Sequence, residues 1–213
     1  MRRSSVAAGR AKCPRQIPQR WSAAIAVVSL FASTTGCGTL HVRPPTRIDD
    51  PVRVYVVDYG RTSRLVLPEY ATQRREADSS AGIEYAYGDW NWYALNNDSL
   101  IDAAAALLIP TLAALGRREV DAPGTSASGE VGTVYTFDVS RRASDRLKQR
   151  LDGIMDDDTR EHVYNEQRDM HFVKLGESYW LPNQSSTEMK SWLQLLGCRV
   201  RGWTLIAEFE FEQ

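Results

Sequence analysis

The stretch WSAAIAVVSLFASTTGC, residues 21–37, carries no charge and divides the chain in two. Ahead of it stand Arg2, Arg3, Arg10, Lys12, Arg15 and Arg20, with no acidic residue among the first 36. A basic segment, a short apolar run and small residues at its end have the layout of a secretory signal peptide. The run falls short of the ~20 apolar residues that a membrane-spanning helix needs. Residues 1–36 are therefore read as a leader, which leaves 177 of the 213 residues to fold. That length is enough for one ordinary core.

The end of the run, Thr34-Thr35-Gly36-Cys37, resembles a bacterial lipobox, although Thr34 stands where Leu is usual. The resemblance implies cleavage before Cys37, a diacylglyceryl group on its sulfur and an acyl chain on its amine. One acyl chain holds a protein only marginally, and several hold it stably, at about 0.8 kcal/mol per buried methylene. Gly38 is not the Asp of inner-membrane retention. The implied location is thus the outer membrane of the bacterial envelope, facing the periplasm. The expected membrane partner acts through this N-terminal lipid.

Residues 37–213 carry 20 Lys and Arg against 27 Asp and Glu, a net charge of −7. A mildly acidic domain lacks the basic patch that nucleic acid selects. With Cys13 in the leader and Cys37 acylated, only Cys198 remains, so neither an intrachain disulfide nor a cysteine-rich metal site is expected. No cofactor or metal motif is found. MDDDTREH, residues 155–162, lacks the spaced oxygen ligands and glycine of a calcium loop. It reads as a solvated helix end.

The polar, proline-containing segment 37–51 reads as a lipidated tether. VRVYVVDYG and SRLVLP read as a hairpin of strands, and GIEYAYGDWNWYAL as a further strand with dense aromatics. NNDSLIDAAAALLIPTLAALG, residues 96–116, reads as an apolar helix split at Pro110 and ended by Gly116. TVYTFDVS is a predicted strand. Leu147, Leu151, Ile154 and Met155 then fall on one helical face. MHFVKLG is a short strand. In WTLIAEFEFE, Trp203, Leu205, Ala207, Phe209 and Phe211 alternate as the buried side of a last strand. The expected architecture is a single α+β domain over 52–213, a small antiparallel sheet packed with helices.

YWLPNQSSTEMKSWLQLLGC, residues 179–198, is the most fully specified segment. Met189, Trp192, Leu193 and Leu196 make a core-facing helical stripe. Ser185 and Glu188 have the spacing of a capping box, and Gly197 stands where a helix ends in a left-handed residue. The helix tip at 183–187 is therefore polar. Helix N-termini stabilise anions and lower thiol pKa values.

Three of these segments, in order, resemble a bacterial envelope family, domain-of-unknown-function family 2459. VYVVDYGRTSRLVLP is similar to its strand, Gly-Trp-His-Thr-Gly turn and second strand. YAYGDWNWYA is similar to its Gly-Trp-Gly-Asp segment and aromatic pair. YWLPNQSSTEMKSWLQLLG is similar to its late Tyr, Asn-Cys-Asn-Thr tip and closing helix. The resemblance covers residues 52–203 and implies a circularly permuted papain-like fold, with His on an early strand and Cys at a late helix tip. Here the His position reads Thr62 and the Cys position Gln184. Neither side chain titrates near neutral pH, so the thiolate and its base are both missing. The resemblance then implies a catalytically degenerate member that binds a peptide, glycan-linked peptide or lipid. The groove would run among the YGRTS turn, Asp89, Trp90, Asn183 and Ser185. Two alternatives stay open. Ser185 or Ser186 could replace the nucleophile of an amide or ester hydrolase, with His41, His162 or His171 as base. Trp90, Trp92 and Tyr93 could fill the core rather than line a groove. Cys198, after the terminal glycine, reads as a buried structural thiol.

Overall fold

The computed structural model describes residues 38–60, 62–69, 82–96, 110–125, 129, 131–180, 183–204 and 208–212. They belong to one compact unit, residues 37–213. Its main element is a seven-stranded sheet in which every neighbouring pair is antiparallel. The strands are β2 (Pro51–Asp58), β3 (Ser63–Pro68), β4 (Gly82–Asp89), β5 (Thr111–Val120), β6 (Thr133–Ser140), β7 (His162–Asn165) and β8 (Met170–Tyr179). Their order across the sheet is β6-β2-β3-β4-β5-β8-β7. A second, three-stranded sheet places β1 (Leu40–Arg43) between β10 (Phe209–Phe211), which is parallel to it, and β9 (Arg199–Arg201), which is antiparallel. The helices are α1 (Arg141–Met155), α2 (Ser185–Leu195) and one π-helical turn, Trp90–Ala94. Among the described residues none is long and apolar enough to cross a membrane.

This overturns the expected fold class. Strand accounts for 49% of the described residues and helix for 22%, and the sheet is large rather than small. The α+β reading with a helix-packed small sheet, and the permuted papain-like form of it, are therefore incorrect. The main cause is the segment before Gly116. Alanine and leucine favour helix intrinsically, but propensity is a weak prior against pairing on both edges. Residues 111–116 belong to β5, which is hydrogen-bonded to β4 on one side and β8 on the other. Gly116 does not end a helix. A Cβ built on it would lie 2.5 Å from the Met170 sulfur and 2.5 Å from the Phe172 ring, so it is the close-packing point of a central strand. Residues 97–109 of the same expected helix lie outside the described residues.

Alternation along β4 explains how the sheet is covered. All eight of its residues are buried, so both faces are occupied. Ile83, Tyr85 and Tyr87 join Leu65, Leu67, Leu115 and Val173 in the larger core, which takes in Leu147, Leu151 and Met155 of α1 and Met189, Trp192 and Leu193 of α2. Ala86 faces the other way, into a smaller cluster with Ala114, Met170, Phe172 and Trp90, Tyr93 and Ala94 of the π turn. On that face Glu84, fully buried, accepts from Arg64 Nη1 at 2.9 Å and from Arg118 Nε.

Local signals account for the helices. Ser140 caps α1 by accepting from the Ala143 amide at 3.3 Å. Past Leu196 the chain turns through Gly197 at φ +91°. The Gly197 amide donates to the Gln194 carbonyl and the Cys198 amide to the Leu193 carbonyl, both at 3.0 Å, which is the paired bond of a Schellman motif. The stripe Met189, Trp192, Leu193 and Leu196 is buried throughout. Two further expectations change. Leu40–Arg43, placed in a tether, is a strand with Leu40 and Val42 in the core. In the last segment Trp203 is 46% exposed while Thr204 is 1% exposed, the reverse of the expected alternation; only Phe209–Phe211 is strand, and residues 205–207 lie outside the described set.

Candidate functional site

One end of the large sheet gathers the ends of several strands. β2 and β3 meet there in the Asp58–Ser63 turn, where Asp58 Oδ1 accepts from the Gly60 amide at 2.6 Å and Gly60 takes φ +81°. Register places Ser63 opposite Tyr87, one step beyond the Arg64–Ala86 pair. β4 ends at the same place with Asp89, β5 begins there with Thr111 and β8 ends there with Tyr179. Chain connection then delivers the α2 tip. The YGRTS turn, the Asp89 segment and the 183–186 tip thus share one end of the sheet.

Asp89 is nearly fully buried and works as a local organiser. Its Oδ1 accepts from the Trp92 amide at 2.7 Å, capping the π turn. Its Oδ2 accepts from the Thr111 hydroxyl, and the Tyr179 carbonyl lies 3.4 Å from that same hydroxyl. Tyr179 connects onward. The Ser185 hydroxyl and amide lie on the side of its phenol and pull its pKa down. Burial nevertheless raises the pKa of that phenol, outweighing the pull of Ser185.

This contact changes the reading of the helix start. Gln184, not Ser185, occupies the N-cap position, and it makes no side-chain cap bond. The capping box therefore does not form. Gln184 is 1% exposed, and its Nε2 donates to the Thr204 carbonyl at 2.9 Å. Ser186 Oγ donates to the same carbonyl at 2.8 Å. Asn183 exchanges backbone bonds with Trp180, and its Nδ2 donates to the Ser178 carbonyl at 2.7 Å. Trp180 itself is 43% exposed beside this tight turn.

Behind the tip lies a second set of polar groups. The Tyr87 hydroxyl donates to Glu177 Oε1 at 3.4 Å and also meets Asn183. Burial raises the Tyr87 phenol, and the charges of Glu177 and Glu188 add to that. Glu188 is raised too, first by burial and then by the charge of Glu177, against the pull of a hydrogen bond with Trp192.

The expected site residues divide in two. Asp89, Asn183 and Ser185 are brought to one place. Trp90 is not part of a groove: it is 3% exposed, packed in the smaller core, with the Lys174 ammonium 5.2 Å from its ring centroid. Thr62 closes the hairpin by accepting from the Tyr59 amide at 2.9 Å, while Gln184 is committed to Thr204. No hydrogen bond joins Thr62 to Gln184 among the described residues. Cys37 lies outside the described residues.

None of the three histidines supplies a base at the tip. His41 pairs with Glu210 in the small sheet, and His162 Nε2 lies 3.0 Å from the Asp157 carbonyl. His171 packs on Tyr164 near the start of β8, eight residues before Tyr179 and so on the order of 25 Å away along a strand. Cys198 is buried and its thiol pKa is pushed up to about 12 by burial, so it is not a nucleophile at neutral pH. Among the described residues no group of three His, Cys, Asp or Glu side chains could hold a metal ion.

Thr111 and Tyr87 are organising residues that the sequence does not single out, and Tyr179 is marked there only as the late Tyr of the resemblance. Thr111 was hidden inside an apparent helix. A signal for Tyr179 existed, because it closes a strand four residues before a capped tip. No protein-family model matches the chain, and neither a curated protein nor a solved structure matches it.

Proposed function

We propose that this chain is a lipid-anchored protein of the bacterial envelope that acts by binding or structural support rather than by catalysis. The single observation that carries the non-catalytic reading is the state of the α2 tip. Its polar side chains are committed to the fold: Gln184 and Ser186 to the Thr204 carbonyl and Asn183 to Ser178, while Ser185 neighbours the Tyr179 phenol, whose pKa burial raises. A nucleophile needs an adjacent base, and the nearest hydroxyl partner here is itself too weak an acid to serve as one.

What remains accessible suits recognition. Trp180 offers an exposed aromatic surface, with Asn183 beside it and the Glu177 carboxylate exposed nearby on β8. An aromatic face with a few fixed polar groups is the usual composition of a ligand site. The ligand classes that fit are a peptide or a glycan-linked peptide, which can stack on the indole and hydrogen-bond to the turn, or a lipid near the membrane. Envelope placement rests on the resemblance of Thr34–Cys37 to a lipobox and of three segments to family 2459.

The test is Ser185→Ala in the mature protein, assayed with ester and peptide-amide substrates alongside the wild type. The proposal expects no turnover from either protein. It expects a stability loss of about 1 kcal/mol, the net worth of one hydrogen bond. Turnover by the wild type that disappears in the variant contradicts it.

A further inference from the structure

We infer that the end of the small sheet formed by Gly38–Leu40 and Arg201–Thr204, the edge that faces outward along the strands, rests directly on an anionic bilayer, with Trp203 at the level of the lipid headgroups. This rests on the proposed lipid at Cys37. The expectation of a tether from that residue does not survive the structure, because the fold begins immediately after it. Gly38 is half-buried, and a Cβ built on it would stand 1.9 Å from the Trp203 carbonyl oxygen. Gly202, at φ +92°, packs as closely from the other side: a Cβ there would lie 2.2 Å from the Thr39 carbonyl oxygen. The Leu40 amide then donates to the Glu208 carbonyl at 2.9 Å, and Leu40 itself is 1% exposed.

Neighbouring Cα atoms are about 3.8 Å apart, so a lipid on Cys37 emerges within one residue of packed backbone. A flexible leash would need several free residues, since its reach grows as roughly 5–6 Å times the square root of their number. The anchor therefore holds the domain against the membrane by a defined edge.

The residues at that edge fit the assignment. Trp203 is 46% exposed in the segment that packs on Gly38, and indole rings favour the water–lipid interface. The β9 side carries cations. Arg201 is exposed, and Lys190 of α2 reaches over to place its Nζ 3.0 Å from the Gly202 carbonyl. The β10 side carries Glu208 and Glu210, both exposed, with Glu210 paired to His41 at 3.0 Å. Basic groups close to an anionic surface are attracted to it. The domain thus leans onto its β9 side. Thr204, whose carbonyl receives both Gln184 and Ser186, follows Trp203 directly, so the α2 tip lies next to the membrane-facing edge.

The test uses the full chain produced in a bacterium and reconstituted into vesicles of phosphatidylethanolamine and phosphatidylglycerol. The vesicles carry lipids spin-labelled at the headgroup, and tryptophan quenching is compared for wild type and Trp203→Phe. Intact mass first establishes lipid on Cys37. Strong quenching in the wild type that is mostly lost in the variant, with the thermal unfolding of both proteins unchanged, supports the inference. A lipidated protein whose quenching is the same with and without Trp203 overturns the docking edge and leaves the anchor standing. A mass without lipid overturns the anchor, and the docking edge falls with it.

Discussion

At the residue scale, Glu188 shows how the folded state penalises a charge at the candidate site. Its carboxyl pKa is raised, chiefly by burial, so the native state holds its proton to higher pH than the unfolded chain does. Stability then falls as pH rises from the unfolded value of about 4.5 through the raised native one, and the favourable state lies below that window. Glu188→Gln removes the penalty while keeping an acceptor for Trp192. Urea unfolding should find the variant more stable than wild type at pH 7 and indistinguishable from it at pH 4. Glu84 lies at the opposite extreme. It is a fully buried carboxylate between Arg64 and Arg118. Glu84→Ala leaves two buried guanidinium groups without their counter-charge and should cost about 3–5 kcal/mol in denaturant unfolding. Glu84 does not stand out in the sequence, and Glu188 does so only by its capping-box spacing, not as a buried acid. A glutamate in a strand or a helix turn reads as surface until the packing partner is known, whereas Gly197 was legible because only a left-handed turn needs it there.

At the element scale, legibility followed how much of the specification was local. α2 was readable to its last residue because its apolar stripe and its terminal glycine both lie within a dozen positions. The capping box was the exception. Its spacing is present, but the helix starts one residue earlier than the box requires, with Gln184 at the N-cap and its side chain drawn off to the Thr204 carbonyl. β5 was misread for the complementary reason. Its alanines and leucines carry a helical preference, and the β4 and β8 edges that override it are supplied by other parts of the chain. The close approach at Gly116 gives that account a test. Gly116→Ala pushes a methyl into Met170 and Phe172 and should destabilise by about 1–3 kcal/mol. A neutral result would remove β5 from the centre of the sheet.

At the scale of the whole molecule, two sheets and two helices hold the α2 tip, the Asp89 segment and the β2–β3 turn at one end of the fold. The sequence order of these three segments is legible, but only the resemblance to family 2459, not their order, placed them around one groove. The scaffold that brings them together was not, since sheet order depends on pairings between strands far apart in the chain. The missing tether matters most for function. With Leu40 already in a strand, a lipid at Cys37 makes the membrane a fixed neighbour of the site rather than a distant surface. Everything proposed about location and ligand depends on that lipid. The decisive measurement is the intact mass of the chain purified from bacterial membranes. The account predicts an N-terminus at Cys37 carrying a diacylglyceryl group and one amide-linked acyl chain. A mature protein that begins elsewhere, or that keeps Cys37 as a free thiol, would contradict it.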